Sequence, residues 1–141
     1  MAIQVGTEEL QSFMRGEFPQ ATISVEKVEP HGAWVRQPVD QSHLRPGGTV
    51  SGPTMMAVAD TAAYVVVLSH LGIVPLAVTS NLNINFLRKP EAGKALLAKG
   101  TLLHLGRRSV LTEVYLYSEG QLEKPVAHAV VTYAIPSSYQ G

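Results

Sequence analysis

One carboxylate stands alone in the longest apolar stretch of the sequence. Asp60 is the only formally charged residue between Arg45 and Arg88, and it falls within a run from Thr54 to Leu71 that is apolar on nearly every face. Such a run predicts a helix covered by protein on most sides. A carboxylate buried there costs several kcal/mol unless it is paired or hydrogen-bonded. We therefore interpret Asp60 as a residue retained for chemistry, with a purely structural polar contact as the alternative.

A glycine-rich loop leads into this helix and offers a second reactive group. The loop contains Arg45-Pro-Gly-Gly, and Ser51 is the expected N-cap residue. Free N–H groups at a helix start carry roughly half a positive charge and favour a developing negative charge. Pro53 has no N–H, so Gly52 is the expected donor to an acyl carbonyl oxygen. Asp60 lies roughly 12 Å further along a straight helix, too far for one subunit to hold both groups at one carbonyl carbon.

The elements that must position these residues follow from hydrophobic periodicity. The sequence predicts a short amphipathic helix with Thr7 as its N-cap residue, two strands at 21–28 and 33–39, and the apolar helix ending at Gly72. Alternation with period two predicts four more strands, at 77–87, 94–105, 109–118 and 125–135. Consecutive antiparallel strands and one covered helix indicate an α+β fold, with a curved antiparallel sheet wrapped around one long central helix. One sheet cannot enclose that helix alone, which predicts a homodimer or a homotetramer.

Composition narrows the class of protein. A chain of 141 residues with 45% hydrophobic content predicts a single domain over 1–141. Eleven basic and eleven acidic residues cancel, so nucleic acid is not an expected partner. There is no cysteine, and the histidines have no metal-ligand spacing, so no metal is expected. Glycine and proline break the apolar run after Leu71 and no secretory signal precedes it, which predicts a cytoplasmic protein without a membrane partner.

Two segments together resemble a known family. The run Gly48–Asp60, followed by Val78–Pro90, is similar to the hotdog-fold acyl-CoA thioesterase superfamily, in particular to the phenylacetate-degradation (PaaI-like) thioesterases. The resemblance implies one hotdog thioesterase-like domain that hydrolyses an acyl-CoA thioester to free acid and coenzyme A. Active sites at the subunit interface are implied as well. No cofactor is implied, because coenzyme A is part of the substrate.

The resemblance also implies roles for residues near the helix. It assigns Asp60 as general base or nucleophile and the Gly52 N–H as the group that polarises the thioester carbonyl. Ser51 stands where the family usually has a histidine, and it can cap the helix and bond a carbonyl or a water. Thr79 matches a hydroxyl residue that is contributed by the other subunit and positions water.

A further set is assigned to substrate binding. Ser80 and Asn81 neighbour Thr79, and two basic pairs follow strands where relatives hold the coenzyme A phosphates: Arg88-Lys89 and Arg107-Arg108. Arg45 stands where many members carry an asparagine. Near Asp60 it would favour the ionised carboxylate; alternatively it binds a carboxylate on the acyl group. Trp34 and the five tyrosines are interpreted as packing residues.

Two other functions remain open at this stage. The departures from the family pattern at Arg45, Ser51 and Pro53 favour a non-catalytic acyl-CoA-binding hotdog protein. A histidine beside the glycine loop, His43, suggests instead a hotdog dehydratase or hydratase that uses His43 with Asp60.

Overall fold

The protein folds as an antiparallel sheet with one long helix against it and a short helix at one side. The computed structural model describes residues 2–139. Its elements are α1 Thr7–Glu17, β1 Ser24–Glu29, β2 Gly32–Gln37, a single 3-10 turn Gln41–His43, α2 Gly52–Leu71, β3 Val78–Phe86, β4 Leu96–Leu105, β5 Ser109–Ser118 and β6 Ala127–Ala134.

The six strands form one curved sheet in the order β1-β2-β4-β5-β6-β3, and every neighbouring pair is antiparallel. The chain leaves the sheet after β2, runs through α2, and returns as β3 at the opposite edge. The sheet therefore wraps around α2, and the predicted α+β hotdog architecture is confirmed.

The second half of α2 is the centre of the core. All nine residues at 62–70 are buried, and their neighbours in β4 and β5 come close to the helix axis. At Gly100 a Cβ atom would lie 2.9 Å from Val66 Cγ2 and 3.2 Å from the Ala62 carbonyl oxygen, so glycine permits this approach. By length and composition α2 is apolar enough to cross a membrane, but 61% of its apolar window is buried in this fold.

The ends of α2 follow the predicted signals, and the rest of the chain buries the second half of the helix more completely than the first half. The Ser51 hydroxyl accepts a hydrogen bond from the Thr54 N–H at 3.2 Å, and the helix ends at Gly72 with φ 93°. In the first half, however, Met56 is 41% exposed and its neighbour Ala57 is also exposed. One chain therefore leaves the first half of α2 partly uncovered, in line with the expectation that one sheet cannot enclose this helix alone.

α1 begins differently from the sequence prediction. Gly6 is its N-cap residue, and no side chain caps the helix. The Thr7 hydroxyl, expected to be the cap, instead accepts a hydrogen bond from the Val28 N–H of β1 at 2.9 Å. Leu10 and Met14 are buried, so α1 is held by its contact with β1 and the core.

Candidate active site

Asp60 lies on the less covered half of α2, and its carboxylate is half-buried. Its Oδ1 accepts a hydrogen bond from Thr79 Oγ1 at 2.6 Å and another from the Tyr133 hydroxyl at 2.9 Å. The Tyr133 hydroxyl is also 3.2 Å from the Asp60 main-chain oxygen. Within residues 2–139 no cation forms an ion pair with Asp60, and no group bonds Oδ2. Two hydroxyls thus orient the carboxylate and leave one oxygen for chemistry.

A β-bulge places Thr79 on the side of the sheet that faces α2. Thr79 pairs with Tyr133 and Asn81 pairs with Thr132, so Ser80 is an extra residue between two registers. Directly opposed residues in an antiparallel pair project from the same face. In a regular strand, Thr79 and Asn81 would project from the same face of the sheet. The bulge shifts the alternation of side chains by one residue, so the Thr79 hydroxyl reaches Asp60.

Tyr133 is a member of the site that the sequence did not single out. It is 4% exposed, and its ring stacks on Tyr64 at 5.6 Å between centroids. Burial raises the pKa of Tyr133 far above its ordinary value, and the negative charge of Asp60 raises it further, although a hydrogen bond with Thr79 opposes the shift. The phenol therefore stays protonated and donates. The hydroxyl of a tyrosine that points inward from a strand needs a hydrogen-bond partner. This requirement is the feature of the sequence that could have identified Tyr133 as a site residue.

The free side of Asp60 opens into a pocket of about 360 Å³, here called the Asp60 pocket. Its polar lining residues are Asp60 and four residues with hydroxyl groups, and the rest of its wall is formed by apolar side chains. The lining residues are Met14, Phe18, Ala21, Ile23, Asp60, Thr61, Tyr64, Pro75, Ala77, Val78, Thr79 and Tyr133. Such a volume is within the range of about 300–1,000 Å³ that small-molecule sites occupy.

A second pocket, of about 420 Å³, surrounds the start of α2 and is here called the Gly52 pocket. It brings together four predicted site residues: Gly52, Arg45, Arg88 and Lys89. No described residue accepts a hydrogen bond from the Gly52 N–H. A Cβ at Gly52 would lie 3.4 Å from the Phe86 ring. The described lining residues include three cations and no acid, so this pocket favours an anionic ligand.

Arg45 and Thr79 occupy positions that differ from two expectations. Arg45 lines the Gly52 pocket and not the Asp60 pocket, so within one chain it does not neighbour the carboxylate. Thr79 belongs to the same chain as the Asp60 to which it donates. The expectation that Thr79 comes from the other subunit is therefore wrong for this pair.

Other predicted site residues have structural contacts or lie elsewhere. The Ser51 hydroxyl accepts from the Thr54 N–H and donates to Thr54 Oγ1 at 2.8 Å. Ser80 Oγ donates to the Thr132 carbonyl oxygen at 3.3 Å, and Asn81 is exposed on the other face.

The second basic pair is remote from the other candidates. Arg107 and Arg108 line a third pocket, of about 380 Å³, together with Leu71 at the last turn of α2. The length of α2 puts Leu71 about 30 Å from Gly52. Within one chain the structure does not bring these arginines to the Gly52 pocket.

His43 is held by the turn to which it belongs. Its Nδ1 accepts a hydrogen bond from the Asp40 N–H at 2.9 Å, and the Asp40 carboxylate caps the same turn. His43 lines neither the Asp60 pocket nor the Gly52 pocket. Among the residues that the structure describes, no group of three or more acidic, histidine or cysteine side chains is placed to hold a metal ion.

Comparison with known proteins agrees with this architecture. The family model described as the Thioesterase superfamily matches residues 47–124, more than half of the chain, and the protein therefore belongs to the thioesterase superfamily. A protein from Silicibacter sp. TM1040, assigned as a thioesterase, is 43% identical, with a TM-score of 0.88 over 96% of this chain and 95% of that chain. Among curated proteins no sequence matches.

Two more distant structures share the hotdog fold. A mutant form of the phenylacetic acid degradation protein PaaI from Thermus thermophilus is 27% identical, with a TM-score of 0.72 over 89% of this chain and 99% of that chain. A hypothetical thioesterase from Streptococcus pneumoniae TIGR4, solved with coenzyme A, is 22% identical, with a TM-score of 0.77 over 89% and 96% of the two chains. The second likeness concerns the fold alone.

Proposed function

We propose that the protein hydrolyses an acyl-CoA thioester to the free acid and coenzyme A, with Asp60 as general base or nucleophile. The observation that carries the proposal is the hydrogen-bonded carboxylate: Oδ1 is held by Thr79 and Tyr133, and Oδ2 is free at a pocket. Membership of the thioesterase superfamily supports the reaction class.

The chemistry that these groups can perform is acyl transfer to water. As a base, Asp60 Oδ2 takes a proton from water while the water oxygen forms a bond to the thioester carbonyl carbon. The C–S bond then breaks, and the departing thiolate of coenzyme A takes up a proton. As a nucleophile, Oδ2 itself forms the new bond to the carbonyl carbon, the C–S bond breaks with departure of the coenzyme A thiolate, and water hydrolyses the resulting anhydride to the free acid and the Asp60 carboxylate. In either route the carbonyl oxygen becomes negative and needs a donor, for which the Gly52 N–H is suited.

The two groups meet only if a second subunit completes the site. β3 is an edge strand of the sheet and carries no charged residue. It is exposed at most positions, including Val78 at 58% and Phe86 at 49%. Unprotected edges of this kind pair with another strand. Antiparallel pairing of two copies of β3 about their middle would bring the Thr79 end of one copy opposite the Phe86 end of the other.

That pairing has a direct consequence for the carbonyl. Thr79 contacts Asp60, whereas Phe86 packs on Gly52. In a twofold dimer, Asp60 would therefore face Gly52 of the partner subunit, and the 12 Å separation within one α2 would no longer matter. We propose this homodimer as the smallest active unit, with coenzyme A phosphates near Arg45, Arg88 and Lys89. Arg107 and Arg108 lie too far from the Gly52 pocket of the same chain to bind these phosphates there, so their contact with coenzyme A requires a site on another subunit.

The test is thiol release from a panel of acyl-CoAs by the wild type and by Asp60→Asn. The substitution keeps the shape of the side chain and removes its basicity, so the expected loss in kcat is about 10²–10⁴. Glu123→Gln, which removes an exposed acid outside the described pockets, is the matched control and should keep wild-type activity. Circular dichroism spectra and thermal unfolding should show that all three proteins are folded.

Other outcomes would contradict the proposal in distinct ways. If folded Asp60→Asn keeps most of its activity, Asp60 is not the base or nucleophile. Tight binding of acyl-CoA without thiol release would indicate a non-catalytic binding protein. Loss of the double bond of an enoyl-CoA on hydration, without thiol release, would indicate a hydratase.

A further inference from the structure

The Asp60 pocket continues from the carboxylate into an apolar end that α1 and the turn after it build. We propose that this end is the acyl site, that it selects uncharged apolar acyl groups of limited length, and that Phe18 sets this length. The inference rests on the proposed thioesterase function and adds the class of acyl group to it.

Aromatic rings line the path away from the carboxylate. Tyr64 is one helical turn after Asp60, about 6 Å along α2, and it faces the same pocket. The Tyr64 ring stacks on Tyr133, whose hydroxyl bonds Asp60, and it also meets the Phe18 ring in a T-shaped contact at 6.4 Å between centroids. The rings run in the order Tyr133, Tyr64, Phe18. An acyl chain whose carbonyl lies at Asp60 would therefore extend along Tyr64 and reach Phe18.

The charges around this path exclude an acyl group that ends in a carboxylate. Apart from Asp60, the described residues that line the Asp60 pocket include no charged side chain. A further negative charge, Glu17, adjoins Phe18 in the sequence: burial raises the pKa of Tyr64, and the carboxylate of Glu17 raises it further. A dicarboxylic acyl group would bring a third negative charge without a cation to pair with it. Arg45, the cation considered for that role, lies in the Gly52 pocket.

Phe18 is a wall of the pocket and not a part of the core. Its ring is 45% exposed, whereas Leu10 and Met14 of α1 are buried in the core cluster. The residue follows the last turn of α1, where its N–H bonds the Met14 carbonyl oxygen at 2.8 Å. That main-chain bond does not depend on the side chain. Substitutions at Phe18 should therefore change the pocket and leave the fold intact.

The segment that carries Phe18 lies outside residues 47–124, the part that the superfamily model matches. Asp60 and Gly52 lie inside it. Phe18 thus lies in a different part of the chain from Asp60 and Gly52, and a change at Phe18 can alter the choice of acyl group without altering these two groups.

The experiment compares acyl profiles. The wild type, Phe18→Ala, Phe18→Trp and the control Leu122→Ala, which shortens an exposed leucine outside the described pockets, are assayed for thiol release. The panel is a graded series of straight-chain acyl-CoAs from acetyl to palmitoyl, together with phenylacetyl-CoA and succinyl-CoA. The readout is kcat/KM for each substrate.

We expect Phe18→Ala to raise the ratio of kcat/KM for longer over shorter chains by at least about tenfold, because one or two methylenes in an apolar pocket discriminate by about that factor. Phe18→Trp should lower the same ratio, Leu122→Ala should leave it unchanged, and succinyl-CoA should be the poorest substrate of its length throughout. An active wild type whose acyl profile is the same in all four proteins would overturn this inference alone, as would a preference for succinyl-CoA. A folded wild type that releases no thiol from any substrate would overturn the proposed function and, with it, this inference.

Discussion

Asp60 and Tyr133 are 73 residues apart in the chain, and a hydrogen bond of 2.9 Å joins the phenol of Tyr133 to Oδ1 of Asp60. The bond links the middle of α2 to the end of β6 and fixes which carboxylate oxygen is free. The donor is buried and the acceptor is half-buried, so water competes weakly for this contact. The carboxylate of Asp60 is thus oriented by a group that no sequence motif marks.

Tyr133→Phe should lower kcat by roughly tenfold to a hundredfold, because a hydrogen bond to a charged group contributes about 1.5–3 kcal/mol. The ring and its stacking on Tyr64 remain, so the variant should still be folded at the assay temperature, with a lower unfolding temperature because the hydrogen bond is lost. Steady-state kinetics and a double-mutant cycle with Thr79→Val test this expectation. Since both hydroxyls donate to one oxygen, the two effects should not add. Additive effects in the cycle would contradict a shared role.

Thr79→Val should reduce kcat by a similar factor, because it removes the donor with little change in shape. Thr79→Ser keeps the hydroxyl and should retain most of the activity. Ser80→Ala is a control at the adjacent position, where the hydroxyl donates to the Thr132 carbonyl oxygen and not to Asp60. If kcat fell equally in Thr79→Val and Thr79→Ser, the hydroxyl of Thr79 would not be what the site requires.

Two inactive variants should restore activity when their subunits are mixed. Gly52→Pro removes the N–H at a helix position that tolerates proline, and Asp60→Asn removes the base. In hybrid dimers one of the two sites combines an intact Asp60 with an intact Gly52, so random mixing should return about a quarter of wild-type activity. Gly52→Ala is the control that keeps the N–H, with a Cβ that meets Phe86 at an ordinary contact distance. Co-refolded mixtures that stay inactive would place both groups in one subunit.

The free energy of unfolding should fall at alkaline pH, and Tyr133 should account for part of the fall. Burial raises the pKa of Tyr133 above its ordinary value of 10.0. A group whose pKa is raised by folding contributes stability below its unfolded pKa, and this is lost as the pH rises above about 10. The slope for one such group is up to about 1.4 kcal/mol per pH unit.

Urea unfolding from about pH 8 to about pH 11 tests this dependence across the unfolded tyrosine pKa. Tyr133→Phe should show a shallower decline than the wild type. The control Leu122→Ala, which removes no titratable group, should decline like the wild type. A Tyr133→Phe protein with the wild-type slope would show that Tyr133 ionises equally well in both states.

The elements were predictable where local signals define them. Ser51, Pro53 and Gly72 mark the ends of α2, and the turns on either side of β5 give its observed bounds of Ser109–Ser118. The ends of other strands moved by one to three residues, because pairing with a neighbour decides them. β3, predicted at 77–87, spans Val78–Phe86.

The candidate site was predictable only in part. An isolated carboxylate and a glycine at a helix start are visible in one sequence, and so are basic pairs after strands. The contact of Tyr133 with Asp60 depends on strand order, which alternation does not encode. The inward direction of Thr79 depends on the bulge at Ser80, and a period-two pattern predicts the opposite face for it.

The extra residue, Ser80, divides β3 into two stretches, and the alternation of side chains between the two faces of the sheet shifts by one residue from one stretch to the other. After it, Leu82 and Ile84 pack against the core; before it, Val78 and Thr79 line or enter the Asp60 pocket. Without the bulge, and with Ser80 kept in regular pairing, Ser80 would oppose Tyr133 and Thr79 would oppose Ala134, while Leu82 and Ile84 would keep their places. The bulge therefore determines that a threonine, and not the adjacent serine, meets Asp60, and it does so without repacking the interior behind β3.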